Sequence, residues 1–248
     1  MAGAPARAYR RLMATSPSPN APVAIVTGAS RGLGLALARA LAARGFRLVI
    51  DARGADALER ARAELAHHTR VDALVGDVSD ARHRAALVTA AGDRIDLLVN
   101  NASRLGPSPQ PPLHAYPLDE LERVYAVNVV APLALAQLAL PLMVEGATIL
   151  NISSDAAVEA YEGWGGYGSS KAALEQLSAV LAAEHPELRV YAVDPGDMRT
   201  QMQQDAFPGE DISDRPPPEE SVPGLLALIE GERGSGRFVA RDLTPVGT

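Results

Sequence analysis

Tyr167 and Lys171 stand four residues apart in the run Tyr167-Gly168-Ser169-Ser170-Lys171. On a helix that spacing puts both side chains on one face. A cation close to a phenol favours the phenolate and lowers its pKa from about 10 toward neutral, so Tyr167 could give and take a proton. The pair alone is common by chance. A second signal is the turn Thr27-Gly28-Ala29-Ser30-Arg31-Gly32-Leu33-Gly34. Gly28 permits a tight turn, Gly32 lets backbone approach a pyrophosphate, and Gly34 lets a helix pack closely on a strand. Ser30, Arg31 and Leu33 share that turn. A helix starting there offers free N–H groups and a partial positive charge to a diphosphate.

A phosphate cradle of this kind needs a strand before it and a helix after it. Val23-Ala24-Ile25-Val26-Thr27 is a continuous apolar run, as in a strand covered on both faces. An Ala/Leu helix follows to about Arg44, with Gly45 as its stop. Further strands are expected over 46–51, 71–75, 95–99, 147–152 and 188–193, with a short last one over 236–240. Helices are expected over 55–66, after a Ser79 cap, within 118–144 and over 167–184. This alternation predicts an α/β fold: one Rossmann-like doubly wound parallel sheet of six or seven strands with helices on both faces. Residues 1–20 read as a disordered extension and 21–248 as a single domain, with a mobile flap at about 197–220 rich in Pro, Asp, Glu and Gln.

The chain has 248 residues, no cysteine, and a net charge of −7. Disulfides and thiolate metal sites are excluded, and no metal is expected. The acidic balance and an aromatic content of 4% argue against nucleic acid or an anionic membrane as partner. Residues 1–20 lack the apolar core of a secretory signal, and a cytoplasmic protein is expected. The apolar stretch 127–144 is broken by Pro132, Gln137 and Pro141 and reads as a buried helix, not a membrane span.

The glycine spacing TGxxxGxG, taken with YxxxK, resembles the short-chain dehydrogenase/reductase family in its short single-domain branch. Asp77-Val78, after the third strand, matches the position where that family's acid holds the adenine amino group. Asn100-Asn101-Ala102-Ser103 resembles the family's NNAG, with Asn101 and Ala102 expected at the cofactor and Ser in place of the final Gly, which leaves the backbone freedom there in doubt. Ser154, 13 residues before Tyr167, resembles the serine that binds the substrate oxygen and stabilises its developing charge. Asn128 resembles the helix asparagine whose amide holds a water linking Lys171 to solvent. Pro195, Gly196 and Thr200 resemble the segment beneath the nicotinamide, with Thr200 on its carboxamide.

The resemblance implies an NAD(P)-dependent oxidoreductase acting on a small-molecule carbonyl or alcohol. Tyr167 would be the proton donor and acceptor, and Lys171 would tune it and hold the ribose. Two readings of the cofactor compete. Asp51, 23 residues beyond Gly28, suggests a ribose acid and NAD(H). The family's usual acid aligns instead with Ala52, and Arg53 then falls where NADP-using members carry arginine. Arg31 adds a second cation for a 2′-phosphate, and NADP(H) is favoured. An inactive cofactor-binding regulator on the same fold is the alternative. A sugar-nucleotide epimerase has little room, since 48 residues follow Thr200. Assembly as a homodimer or homotetramer through the long apolar helices is expected from the same kinship.

Overall fold

The computed structural model describes residues 21–243. The extension 1–20, expected to be disordered, lies outside the described residues. The strands are β1 (Val23–Val26), β2 (Arg47–Ala52), β3 (Val71–Val75), β4 (Ile95–Asn100), β5 (Met143–Ile152), β6 (Arg189–Asp194) and β7 (Gly236–Val239). All pair in parallel in the order β3-β2-β1-β4-β5-β6-β7.

The helices are α1 (Gly32–Ala43), α2 (Ala55–Leu65), α3 (Ala81–Ala91), α4 (Leu118–Tyr125), α5 (Ala131–Ala139), α6 (Gly165–Glu184), α7 (Gln201–Ala206) and α8 (Val222–Ile229). The period-2 alternation of β1 splits its side chains between two cores. Ala24 and Val26 pack with α1, α2 and α8, including Leu37, Leu41, Leu58 and Leu225. Val23 and Ile25 pack with α3, α5 and α6, including Leu87, Leu135 and Leu181. Burial on both faces is why these strands read as unbroken apolar runs.

Gly45 follows α1 at φ +81°, the left-handed stop its position implied. The cap of α3 differs from expectation. Asp80, not Ser79, accepts from Arg82 N at 2.8 Å, while Ser79 is bonded back to Asp77. The expected helix over 118–144 is interrupted by a π-helical turn, Ala126–Val130, and ends before Met143 enters β5. This 25-residue helical run, Leu118–Leu142, is long and apolar enough to cross a membrane by length and composition. In the fold its Leu135, Ala136 and Ala139 lie in the core against the sheet. The segment expected as a flap contains α7, capped by Thr200.

The strand order changes direction between β1 and β4. In open parallel sheets that switch point opens a crevice at the carboxyl ends of the strands, where ligands bind.

Candidate active site

A cavity of about 890 Å³ occupies that crevice. One end is the glycine turn. Gly28 and Gly32 take φ +67° and +57°, which favours glycine. A Cβ on Gly34 would lie 2.5 Å from both Gly28 O and Asn101 Nδ2, so only glycine fits that approach. A Cβ on Gly32 would lie in van der Waals contact with the Thr200 methyl, 3.6 Å away across the cavity. No side chain among the described residues caps the start of α1, so its first N–H groups are left for a ligand. Ser30 and Leu33 line the same end.

Asp51 holds this turn from below. It is buried, accepts from Gly28 N at 2.7 Å through Oδ1, and meets His83 Nε2 at 2.9 Å through Oδ2. Each oxygen therefore carries one bond within the fold, so the side chain that suggested a ribose acid is tied to the turn and to α3. Nothing local in the sequence reveals this, because His83 arrives from α3. Arg31 and Arg53 line the cavity and are exposed. Among the described residues neither guanidinium has an ion-pair or hydrogen-bond partner. Asp77 and Val78 line the adjacent wall. Asp77 Oδ1 accepts from Ser79 N at 2.8 Å and Ser79 Oγ at 2.7 Å. Burial pushes its carboxyl up, but the Ser79 bonds and the nearby charges of Arg53 and His83 prevail and hold it below its ordinary value.

Asn101 ties β4 to the turn, donating to Thr27 O at 2.8 Å, with Ala102 N bound to Thr27 Oγ1 at 3.0 Å. Ser103 follows in the position where glycine was the expected residue. Among the described residues only glycines take positive φ, so Ser103 imposes no left-handed strain.

At the far end of the cavity α6 presents Tyr167 and Lys171, and Ser154 follows the end of β5 by two residues. Lys171 Nζ lies 5.4 Å from the centre of the Tyr167 ring and donates to Ile152 O at 2.7 Å. Burial lowers the lysine to about 7, and Glu175, one turn on, opposes that shift. Tyr167 does not follow the expectation of a lowered phenol. Burial pushes it well above its ordinary value, reinforced by Asp194 and Asp155. The Ser103 and Ser154 hydroxyls beside the phenol pull the other way. The physical reason is that both partners of the pair are desolvated, and each favours its neutral form.

Ser154 Oγ donates to Asp155 Oδ1 at 2.9 Å, and Tyr161 donates to the other oxygen at 3.0 Å. Asn128 sits in the π-helical turn, 1% exposed. Its Nδ2 donates to Arg104 O and Ser170 Oγ, each at 2.9 Å. Its Oδ1 accepts from Arg104 N at 2.8 Å and Ser103 Oγ at 3.2 Å. The amide is thus saturated by protein groups. It anchors the loop after β4 instead of offering a free position to a water, which differs from its expected role.

Pro195, Gly196 and Thr200 line the wall below Tyr167. Thr200 Oγ1 also caps α7, accepting from Gln203 N at 3.3 Å. Sequence reasoning missed a supporting network behind Ser154. Glu175 accepts from Ser153 Oγ at 2.5 Å and from Arg237 Nε at 2.9 Å. The one available signal was Glu175 itself, four residues after Lys171. Among the described residues no group of three His, Asp or Glu could hold a metal ion.

Residues 22–211 match the model of the short chain dehydrogenases. The chain belongs to this family. This short-chain dehydrogenase is 37% identical over 191 residues to the 2-(R)-hydroxypropyl-CoM dehydrogenase of Xanthobacter autotrophicus, covering 73% of this chain and 76% of that one. It is 37% identical over 199 residues to the sepiapterin reductase of Meriones unguiculatus, covering 73% and 76%. Its fold superposes on a short-chain dehydrogenase of Shigella flexneri complexed with NADP at a TM-score of 0.82, with 28% identity over 89% of this chain and 97% of that one. Relatives of this kind are dehydrogenases and reductases, and the chain is an oxidoreductase of the same family.

Proposed function

We propose that this short-chain dehydrogenase transfers hydride between NADP(H) and a carbonyl or alcohol, with Tyr167 as proton donor and acceptor. The observation that carries this reading is one cavity with an uncapped helix start at one end and Tyr167, Lys171 and Ser154 at the other. The residues present fit a dinucleotide. Gly28, Ser30, Gly32, Leu33 and Gly34 would hold the diphosphate, and Arg31 and Arg53 the 2′-phosphate. Asp77 and Val78 would take the adenine, and Asn101 and Ala102 would back the ribose. Pro195, Gly196 and Thr200 would underlie the nicotinamide. Bound there, the reduced nicotinamide supplies hydride to the carbonyl carbon. Tyr167 gives its proton to the carbonyl oxygen, so C=O becomes CH–OH, and Ser154 donates a hydrogen bond to that oxygen as charge develops. The charge of Lys171 favours the phenolate left behind. Asn128 keeps the Ser103-Arg104 loop in place. Oxidation runs the same steps in reverse.

Preference for NADP(H) over NAD(H) is supported by the ties of Asp51 to Gly28 and His83 and by Arg31 and Arg53, whose guanidinium groups have no partner among the described residues. The Shigella flexneri relative complexed with NADP points the same way. Leu118, Val130, Leu138 and Val180 are large apolar side chains exposed along α4 to α6, and they support a homodimer or homotetramer. The same reading makes the enzyme cytoplasmic, independent of membrane and nucleic acid, in keeping with its acidic, cysteine-free composition.

The test is Tyr167→Phe, assayed with NADPH and a panel of ketones and aldehydes. Turnover should fall about a hundredfold or more, while NADPH binding, followed by cofactor fluorescence, stays within twofold. Retained turnover refutes the assignment of Tyr167. Comparable turnover with NADH and NADPH refutes the cofactor preference.

A further inference from the structure

The cofactor motifs account for the glycine end of the cavity and for Tyr167, Ser154 and Lys171. They leave the space beyond the phenol unexplained. Its walls come from three separate segments. Leu105, Ala156 and Tyr167 form a small apolar cluster distinct from the two sheet cores, and Trp164, Met202 and Ala206 pack against it. Trp164 meets the Tyr167 ring edge-on, with centroids 5.8 Å apart and planes at 75°. Its other sides meet Phe207 at 5.9 Å and Tyr161 at 6.4 Å. An aromatic wall is thus built onto the proton-bearing phenol itself.

Acids outnumber unpaired cations at this end. Asp155, Asp197 and Asp205 line the cavity and are exposed. Most of the cations there are paired or buried. The Arg104 guanidinium is bonded to Glu120 at 2.6 Å. Arg215 lies 3.5 Å from Asp197, and Lys171 is buried against Ile152 O, whereas Arg199 is exposed and, among the described residues, its side chain bonds only to the Ser213 carbonyl, at 3.3 Å. An anionic group beside the reacting carbonyl would lie next to Asp155, whose Oδ1 is 2.9 Å from Ser154 Oγ.

From this geometry we infer that the substrate is a neutral carbonyl compound with an aromatic ring next to the C=O, held against Trp164, in preference to a keto acid. This rests on the reductase reading above. The aromatic ring would pack edge-on or offset against the indole, the arrangements aromatic pairs favour. The carboxylate of a keto acid would be desolvated beside Asp155, a like charge without a partner.

The experiment compares 1-phenyl-1,2-propanedione, phenylglyoxylate and 2,3-butanedione with NADPH, in the wild type and in Trp164→Ala and Trp164→Phe. The neutral aryl diketone should exceed phenylglyoxylate in kcat/KM by at least about tenfold. Trp164→Ala should cut the ratio of kcat/KM for the aryl over the alkyl diketone about tenfold, and Trp164→Phe should restore most of it. Trp164 is the only tryptophan of the chain, so its fluorescence reports binding without turnover: the aryl diketone should quench it and phenylglyoxylate should not. Preference for phenylglyoxylate, or a ratio unmoved by Trp164→Ala, overturns the inference and leaves the reductase reading standing. An NADPH-binding enzyme that reduces none of the three, nor any other carbonyl, overturns the reductase reading, and this inference with it.

Discussion

Replacing Lys171 by Met should make the cofactor-free protein more stable at pH 6, even as it removes activity. The ammonium is 2% exposed, and among the described residues it has one hydrogen bond, to Ile152 O. Burial takes its pKa from 10.5 to about 7. At 1.36 kcal/mol for each pH unit, a fall of that size corresponds to about 5 kcal/mol. Below pH 7 the lysine is charged in the folded and the unfolded chain alike, and the folded chain carries the whole cost of burying the charge. Between pH 7 and 10.5 the unfolded chain holds the proton and the folded chain does not, so wild-type stability rises with pH. Met fills a similar volume without charge, but leaves the Ile152 carbonyl unpartnered at a cost of about 1–3 kcal/mol. The balance at pH 6 is a gain of about 2–4 kcal/mol, or about 5–15 °C in Tm for a domain of this size. At pH 10 the gain should shrink to roughly zero or reverse. Tyr167 and Asp194, both pushed up by burial, are common to the two proteins and cancel in the comparison. Thermal unfolding followed by circular dichroism at both pH values measures the gap. A variant no more stable than wild type at pH 6, or a gap that fails to narrow at pH 10, would refute the claim that Lys171 is a strained buried charge.

Two other substitutions probe the supports of the site. Glu175→Gln keeps an acceptor for Ser153 and Arg237 but removes the charge that raises the Lys171 pKa; the alkaline fall in kcat/KM should move down by about half to one pH unit, and an unmoved profile removes Glu175 from that role. Asn128→Ala strands the Arg104 N–H and carbonyl and should cost about 2–4 kcal/mol in urea unfolding, whereas a loss below about 1 kcal/mol would mean that the loop is held by something else.

Some elements were legible because their signals are local. The apolar run of β1, the glycines of the turn and the stop at Gly45 each encode a backbone requirement within a few residues. The parallel sheet followed from strands covered on both faces, since burial removes the polar alternation. The four-residue spacing of Tyr167 and Lys171 carried through to one wall of one cavity for the same reason. Other features were out of reach. The extra residue per turn at Ala126–Val130 has no local signature, and it is the turn that carries Asn128. The cap of α3 went to Asp80 over Ser79 because Ser79 had already been taken by Asp77.

By itself the sequence determined which backbone could bend around a phosphate and which side chains could move a proton, since residue type and short spacing decide both. Only the tertiary structure decided how those groups are charged and engaged. Asp51 is tied to a histidine 32 residues away. Asn128 is filled by a loop 24 residues away. Tyr167 and Lys171 are driven toward neutrality by the burial of both. Each outcome depends on how much water and which distant partner reach an atom, and those are properties of packing, not of spacing along the chain.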